Sequence, residues 1–179
     1  MKPIISTNLR IRHPDVFVVG EDSIVDDFGY FSTQVIVGRC SHIASSCTIA
    51  GGRERTFRLG DFSSLSAGVR VWCTSDDFAE DLIMIVPPDL EDPKKHLIAG
   101  DVSLGNYTGV GANTVIMPAN EIPEGTAIGA LSFVPPAFAF EPWSVYAGTP
   151  IRKLRARNRD AILRQVEAIE RSLAARRTP

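Results

Sequence analysis

Three histidines, His13, His42 and His96, are the side chains of this chain best placed to move protons, because an imidazole titrates close to neutral pH. His42, in RCSHIASS, closes a short block directly before the aliphatic Ile43, a corner position whose side chain can point away from a core. His96, in PKKHLIAGD, follows two lysines that read as solvated, and His13 stands before a proline as a surface or capping residue. An acidic pair, Asp76–Asp77, sits in Thr74-Ser75-Asp76-Asp77-Phe78, where an exposed acidic turn is the bland alternative to a working pair. Gly-Ala recurs at Gly111–Ala112 and Gly129–Ala130, and either is equally a tight corner or a place where a ligand approaches the backbone. A basic cluster, Arg152, Lys153 and Arg155, follows. The cysteines, Cys40, Cys47 and Cys73, are odd in number and form no CxxC, so reduced thiols in a cytoplasmic protein are expected.

The elements that must position these groups are announced by a six-residue period. Leu104, Val110, Ile116, Ile122, Ile128 and Val134 return at every sixth position, as do Val19, Val25, Phe31, Val37, Ile43 and Ile49. A helix would space its apolar residues three and four apart, and a lone strand two apart. A period of six suits short parallel strands that turn a corner and repeat, stacked into a prism with the aliphatic residue inward. The frame slips at Gly51–Thr56, where a small loop or hairpin is expected, and resumes at Leu59, Leu65 and Val71. Counting Ile98, sixteen block starts at three per coil give about five coils. Met1 to Val18 reads as a lead-in strand or cap over the first coil. Between Val71 and Ile98 the period is lost, and Phe78, Leu82, Ile83, Met84, Ile85 and Val86 suggest an ordered arm that packs on a neighbouring subunit. From Arg157 to Arg176 the spacing of Ile162, Leu163, Val166, Ile169 and Leu173 predicts a docking helix.

Composition narrows the function. One domain suits 179 residues, and a net charge of −2 leaves no basic face for nucleic acid before the C-terminal segment. No apolar run approaches the length of a membrane span, and MKPIISTNLRIRH lacks the apolar core of a signal peptide.

The hexapeptide run, together with PWSVYAGTPIRKLRAR at its exit, resembles the left-handed parallel β-helix acyltransferases over residues 19 to 157. That resemblance implies an all-β, left-handed parallel β-helix with an extruded loop at residues 73–97 and a C-terminal α-helix. Residues 1–157 would form the β-helix domain and 158–179 the helix. It further implies transfer of an acetyl group from acetyl-CoA, without a metal, to a hydroxyl or amine, in a homotrimer with active sites between prisms. Members of the family often place their base in a loop reading Thr-His-Pro or Ser-His-Asp, where this chain has Thr74-Ser75-Asp76. A sugar acetyltransferase branch combining His-Ile-Ala with Ser-Asp-Asp-aromatic is similar to the present pattern. It implies His42 as base, with Asp76 or Asp77 orienting the imidazole or holding the acceptor across a subunit boundary, two coils away on another face. The same resemblance puts pantetheine on the turns Gly111–Ala112 and Gly129–Ala130, and a phosphate of CoA near Arg152 and Lys153. The expected acceptor is a nucleotide-linked or glycan-bound sugar for surface polysaccharide. A non-catalytic β-helix scaffold is the alternative. A γ-class carbonic anhydrase is disfavoured, because separations of 29 and 54 residues between the histidines give no close pair for zinc.

Overall fold

A computed structural model describes residues 1–79 and 97–177 of the chain. Its strands are short, mostly two or three residues, and they stack in parallel into three faces of a prism. On the first face the chain lays Ile24–Val25, His42–Ile43, Ser64–Leu65, Gly109–Val110 and Ala127–Ile128 side by side. The second face is built on Phe31, Ile49, Val71, Ile116 and Val134, and the third on Val37, Leu59, Leu104 and Ile122. The second residue of each first-face strand, and every residue named on the other two faces, is buried, while the residue before it faces outward. That is the alternation a strand imposes, and it explains the six-residue period: one inward residue per face, then a corner.

Six coils form, one more than the block starts indicate. The additional coil is the first, because Met1–Val18 is no cap. Ile4–Ile5 pairs with Ile24–Val25, Arg10–Ile11 with Tyr30–Phe31, and Phe17–Val19 with Val35–Val37. Two further expectations meet the structure differently. At Gly51–Thr56, of the two forms expected, the structure has the small loop and not a hairpin, carried within Thr48–Leu59, one continuous strand that passes the corner. The rung opposite Thr33 is Gly52 and the next, opposite Gln34, is Thr56, so the intervening residues bulge outward. Arg53 then reaches back to the first coil, ion-paired with Asp15 at 2.5 Å. Ile98, by contrast, is not a coil position and needs correction. Thr74–Asp76 and Leu97–Ala99 pair antiparallel, Ser75 opposite Ile98, as the two ends of an insertion that leaves the prism. The coil resumes with Val102 opposite Phe57. His96 and the apolar run 82–86 lie outside the described residues, as does any packing of that arm.

A column of buried hydroxyls supports the corner that leads into the first face. Ser23, Ser41, Ser63, Thr108, Thr126 and Ser144 are all almost fully buried. Ser23 Oγ donates to the Gly38 carbonyl and accepts from the Ser41 N–H. Ser41 serves Gly60 and Ser63 in the same way, and Ser63 serves Gly105 and Thr108. Turning the chain leaves peptide groups unpaired, and these hydroxyls supply the missing partners.

One outer edge of that corner is aromatic. Phe62 and Tyr107 lie 6.1 Å apart between ring centroids, and Tyr107 stacks with Trp143 at 5.9 Å. The coil between the last two contributes Gly125, with φ +72°, where a Cβ would come within 2.3 Å of the Trp143 ring. The C-terminal helix, Arg159–Arg177, closes this edge. The Asn158 side chain caps it by accepting from the Ala161 N–H at 3.0 Å. Ile162, Val166 and Ile169 face Cys40, Phe62 and Tyr107 across a cavity of about 330 Å³. Arg39 fixes the helix by pairing with Glu170, and its guanidinium lies over the Phe62 ring. At the helix entry Arg157 donates to the carbonyls of Tyr107 and Gly125, two successive coils.

Candidate active site

The helix covers one edge of the first face; the site residues gather on the other. Hydrogen bonds between coils place Asp26, Ala44, Ser66, Gly111, Gly129 and Ala147 in one column at the corner after the first face. Ala147 is in turn paired with Arg152, in the strand that folds back over the last coil. From Ala44 to Arg152 there are five rungs, roughly 24 Å at about 4.8 Å each. His42 stands on the face two residues before Ala44, so the histidine, both Gly-Ala turns and Arg152 share a single edge of the prism.

His42 is about two-fifths exposed, and its Nε2 lies 2.8 Å from Asp26 Oδ2. The rungs either side of it are Ile24 and Ser64, both uncharged. Asp27, next in sequence to Asp26, is engaged instead by the Ser6 hydroxyl and the Asn8 amide. Asp26 was not singled out in the sequence. The signal was nonetheless there: with Val25 beneath Ile43, the residue after one and the residue before the other both face outward on neighbouring strands.

Asp76 and Asp77 lie elsewhere. They follow the second-face strand Arg70–Trp72 into the insertion, and Thr74 beside them donates to the Gly51 carbonyl. Within one chain the structure does not bring them to His42. The offset between them is one coil, not two, since Ile49 of the histidine's own coil pairs directly with Val71. The larger offset comes from measuring between Val37, which opens the block that His42 closes, and Val71, five block starts further on.

At the Gly-Ala turns the coil stacking accounts for the glycines. A Cβ on Gly111 would meet the Ala130 nitrogen at 2.3 Å, and one on Gly129 would meet the Ala147 methyl at 2.9 Å. Their N–H groups donate to Ile128 and Tyr146. Ala130 is exposed and Ala112 half-buried. Of the cations, Arg152 is exposed on the open edge, whereas Lys153 pairs with Glu141 at 2.5 Å and Arg155 donates to the Ala156 carbonyl. The edge therefore runs from a His–carboxylate pair at one end to a guanidinium at the other, a polarity suited to a ligand with an anionic tail. A cavity of about 490 Å³ on the third face, around Arg58, Ser103 and Glu121, contains none of these groups.

Burial sets the thiols apart from this chemistry. It pushes Cys47 up to about 11 and Cys73 to about 12, and both stay protonated and unreactive in the core. Among the described residues, no three His, Cys, Asp or Glu side chains converge on a point that could hold a metal ion, and no helix is long and apolar enough to cross a membrane.

Comparison with known proteins places these observations. The chain matches no family model. It is 25% identical over 150 residues to the Escherichia coli dTDP-4-amino-4,6-dideoxy-D-glucose acyltransferase, covering 81% of this chain and 74% of that one. AntD, an N-acyltransferase from Bacillus cereus solved with dTDP and 3-hydroxybutyryl-CoA, superposes with a TM-score of 0.83 and 31% identity over 96% of this chain and 88% of its own. A maltose O-acetyltransferase from Clostridium difficile shares the fold, at a TM-score of 0.54 and 15% identity over 87% of this chain and 67% of that one.

Proposed function

Because this chain belongs to the hexapeptide-repeat acyltransferase family, we propose that it transfers an acyl group from acyl-CoA to the amine of a dTDP-linked amino sugar. The observation that carries the reading is the open edge, on which His42, the Gly-Ala turns and Arg152 follow one another over the reach of an extended CoA arm. Support for an amine acceptor comes from the similarity to AntD, solved with both dTDP-4-amino-4,6-dideoxyglucose and CoA in one of its variants. Variants of AntD have been solved at a serine and at an aspartate ten positions further on. In this chain Ser66 and Asp76 form the one Ser–Asp pair with that spacing, and Ser66 stands on the open edge between Ala44 and Gly111. The reading therefore keeps Asp76, with Asp77 beside it, as the group that holds the acceptor's amino sugar.

In this mechanism the acceptor nitrogen attacks the thioester carbonyl carbon, forming the C–N bond as the C–S bond breaks. His42 takes the proton that the nitrogen sheds and returns it to the departing thiolate, so no charge is left stranded. The peptide units of Ala112 and Ala130 meet the pantetheine arm, the glycine N–H groups being held by the next coil. Arg152 meets a phosphate, with Lys153 a weaker partner because Glu141 already holds it. Asp76 lies one face away from His42 in its own chain, so the complete site is drawn from two copies in a homotrimer. The exposed Phe28, Leu131 and Phe133, along the open edge and the second face, give a second copy apolar surface to cover. A reducing cytoplasm suits the three free thiols.

An acceptor screen tests the reading. Acetyl-CoA and 3-hydroxybutyryl-CoA are each offered with dTDP-4-amino-4,6-dideoxyglucose, with the matching 4-hydroxy sugar and with a UDP-linked amino sugar, and thiol release is followed. Turnover with the dTDP amine at least tenfold above both comparators is expected. Equal rates on the hydroxyl sugar would move the assignment to O-acylation.

A further inference from the structure

We propose that Asp26 is the positioning residue of the site: it fixes the His42 imidazole through Nε2, leaving Nδ1 as the atom that moves the proton. This rests on the reading of His42 as the base. The contact is 2.8 Å and lies on the open edge, with both side chains a little over two-fifths exposed, so it serves no evident need of the core. Two uncharged rungs, Ile24 and Ser64, flank the ring, and Asp27 is turned away to Ser6 and Asn8. Asp26 is thus the carboxylate positioned to answer the imidazole's charge. A neutral imidazole carries one N–H; donated to Asp26, it sits on Nε2 and the lone pair is left on Nδ1. When Nδ1 accepts the proton shed by the acceptor nitrogen, the imidazolium is stabilised by the carboxylate on its far side until the proton passes to the thiolate sulfur. Bonds and protons balance: one C–N bond replaces one C–S bond, and the proton leaves nitrogen for sulfur. The pairing also removes any need for Asp76 to orient the ring, which frees that residue for the acceptor.

The test compares Asp26→Asn, Asp26→Glu, His42→Ala and His96→Ala in the full-length protein, with CoA thiol release and imidazole ¹⁵N NMR as readouts. The three histidines keep the ring spectra assignable. The expected result is a fall in kcat of roughly 10- to 100-fold for Asp26→Asn with KM for acyl-CoA little changed, and partial recovery in Asp26→Glu. In the wild type the His42 ring should show the Nε2–H tautomer. If His42→Ala is inactive while Asp26→Asn keeps full turnover, Asp26 is not the positioning residue and the base stands. If His42→Ala keeps full turnover, or His96→Ala is the variant that dies, the base is misassigned and Asp26 loses its role with it. Should Asp26→Asn fail to fold, the wild-type tautomer decides alone: an Nδ1–H ring overturns the proposal.

Discussion

Single side chains in this molecule owe their type to the coil above or below them more than to their neighbours in sequence. Ser63 shows this most plainly, because its hydroxyl donates to the Gly105 carbonyl and accepts from the Thr108 N–H, both in the next coil. Thr108 occupies the same column, yet its own buried hydroxyl makes no hydrogen bond among the described residues. The two positions therefore answer differently to removal of the hydroxyl. Ser63→Ala should cost about 1–3 kcal/mol, since it leaves a buried N–H and a part-buried carbonyl without this partner. Thr108→Val, which swaps an unpaired hydroxyl for a methyl, should be neutral or slightly stabilising. Urea unfolding of the two variants checks the pair, and equal losses would mean that the column is held by shape rather than by hydrogen bonds. At this scale the sequence carried part of the site. His42 was legible because it is a histidine at a corner, but its partner was not, because Asp26 is sixteen residues away and only the coil length makes them neighbours.

Coils were the most legible elements, since each face takes one inward residue and each corner nearly the same number of outward ones. Where the period held, from Leu104 to Val134, every inward residue expected is buried. It misled where a strand runs through a corner. Ile5, Ile11 and Phe17 also fall six apart, but Phe17–Val19 continues for two residues, so the next block begins out of phase and the first coil passed for a cap. The Ile98–Leu104 spacing of six is a coincidence of the returning insertion. The helix was visible from its spacing, but the means of its attachment was not. Arg157 is partly buried, which lowers its pKa, and it bonds two carbonyls in successive coils. The Arg39–Glu170 pair lies more than a third exposed. Arg157→Ala should therefore loosen the helix by about 1.5–3 kcal/mol and Glu170→Ala by at most about 1 kcal/mol. Hydrogen exchange over Arg159–Arg177 reads the order directly; a larger effect from Glu170→Ala would put the anchor on the ion pair instead.

At the scale of the whole molecule, the proposed site has its two halves on different faces and needs a means of joining them. His42 belongs to the first face, and Asp76 leaves the second face for the insertion, one coil further on. One prism cannot fold these faces together, because three stacked sheets and a filled aliphatic core hold them apart. A threefold axis can, by setting the first face of one copy against the second face of the next. In that arrangement each cleft takes His42 and Asp26 from one subunit and Asp76 with Asp77 from its neighbour. Light scattering should then return three times 19.5 kDa. Mixing supplies the sharper measurement. Subunits carrying His42→Ala and subunits carrying Asp76→Asn with Asp77→Asn should each be inactive as pure trimers. After they are dissociated and reassembled together, a cleft that draws its histidine from the second kind and its aspartates from the first is wild type. Random assembly gives each cleft about one chance in four of that combination, so about a quarter of wild-type turnover should return. A mixture that stays as inactive as its parents, while mass spectrometry shows hybrid trimers, would place both halves of the site within one chain. The aspartates would then have to reach the histidine through the insertion rather than across the boundary.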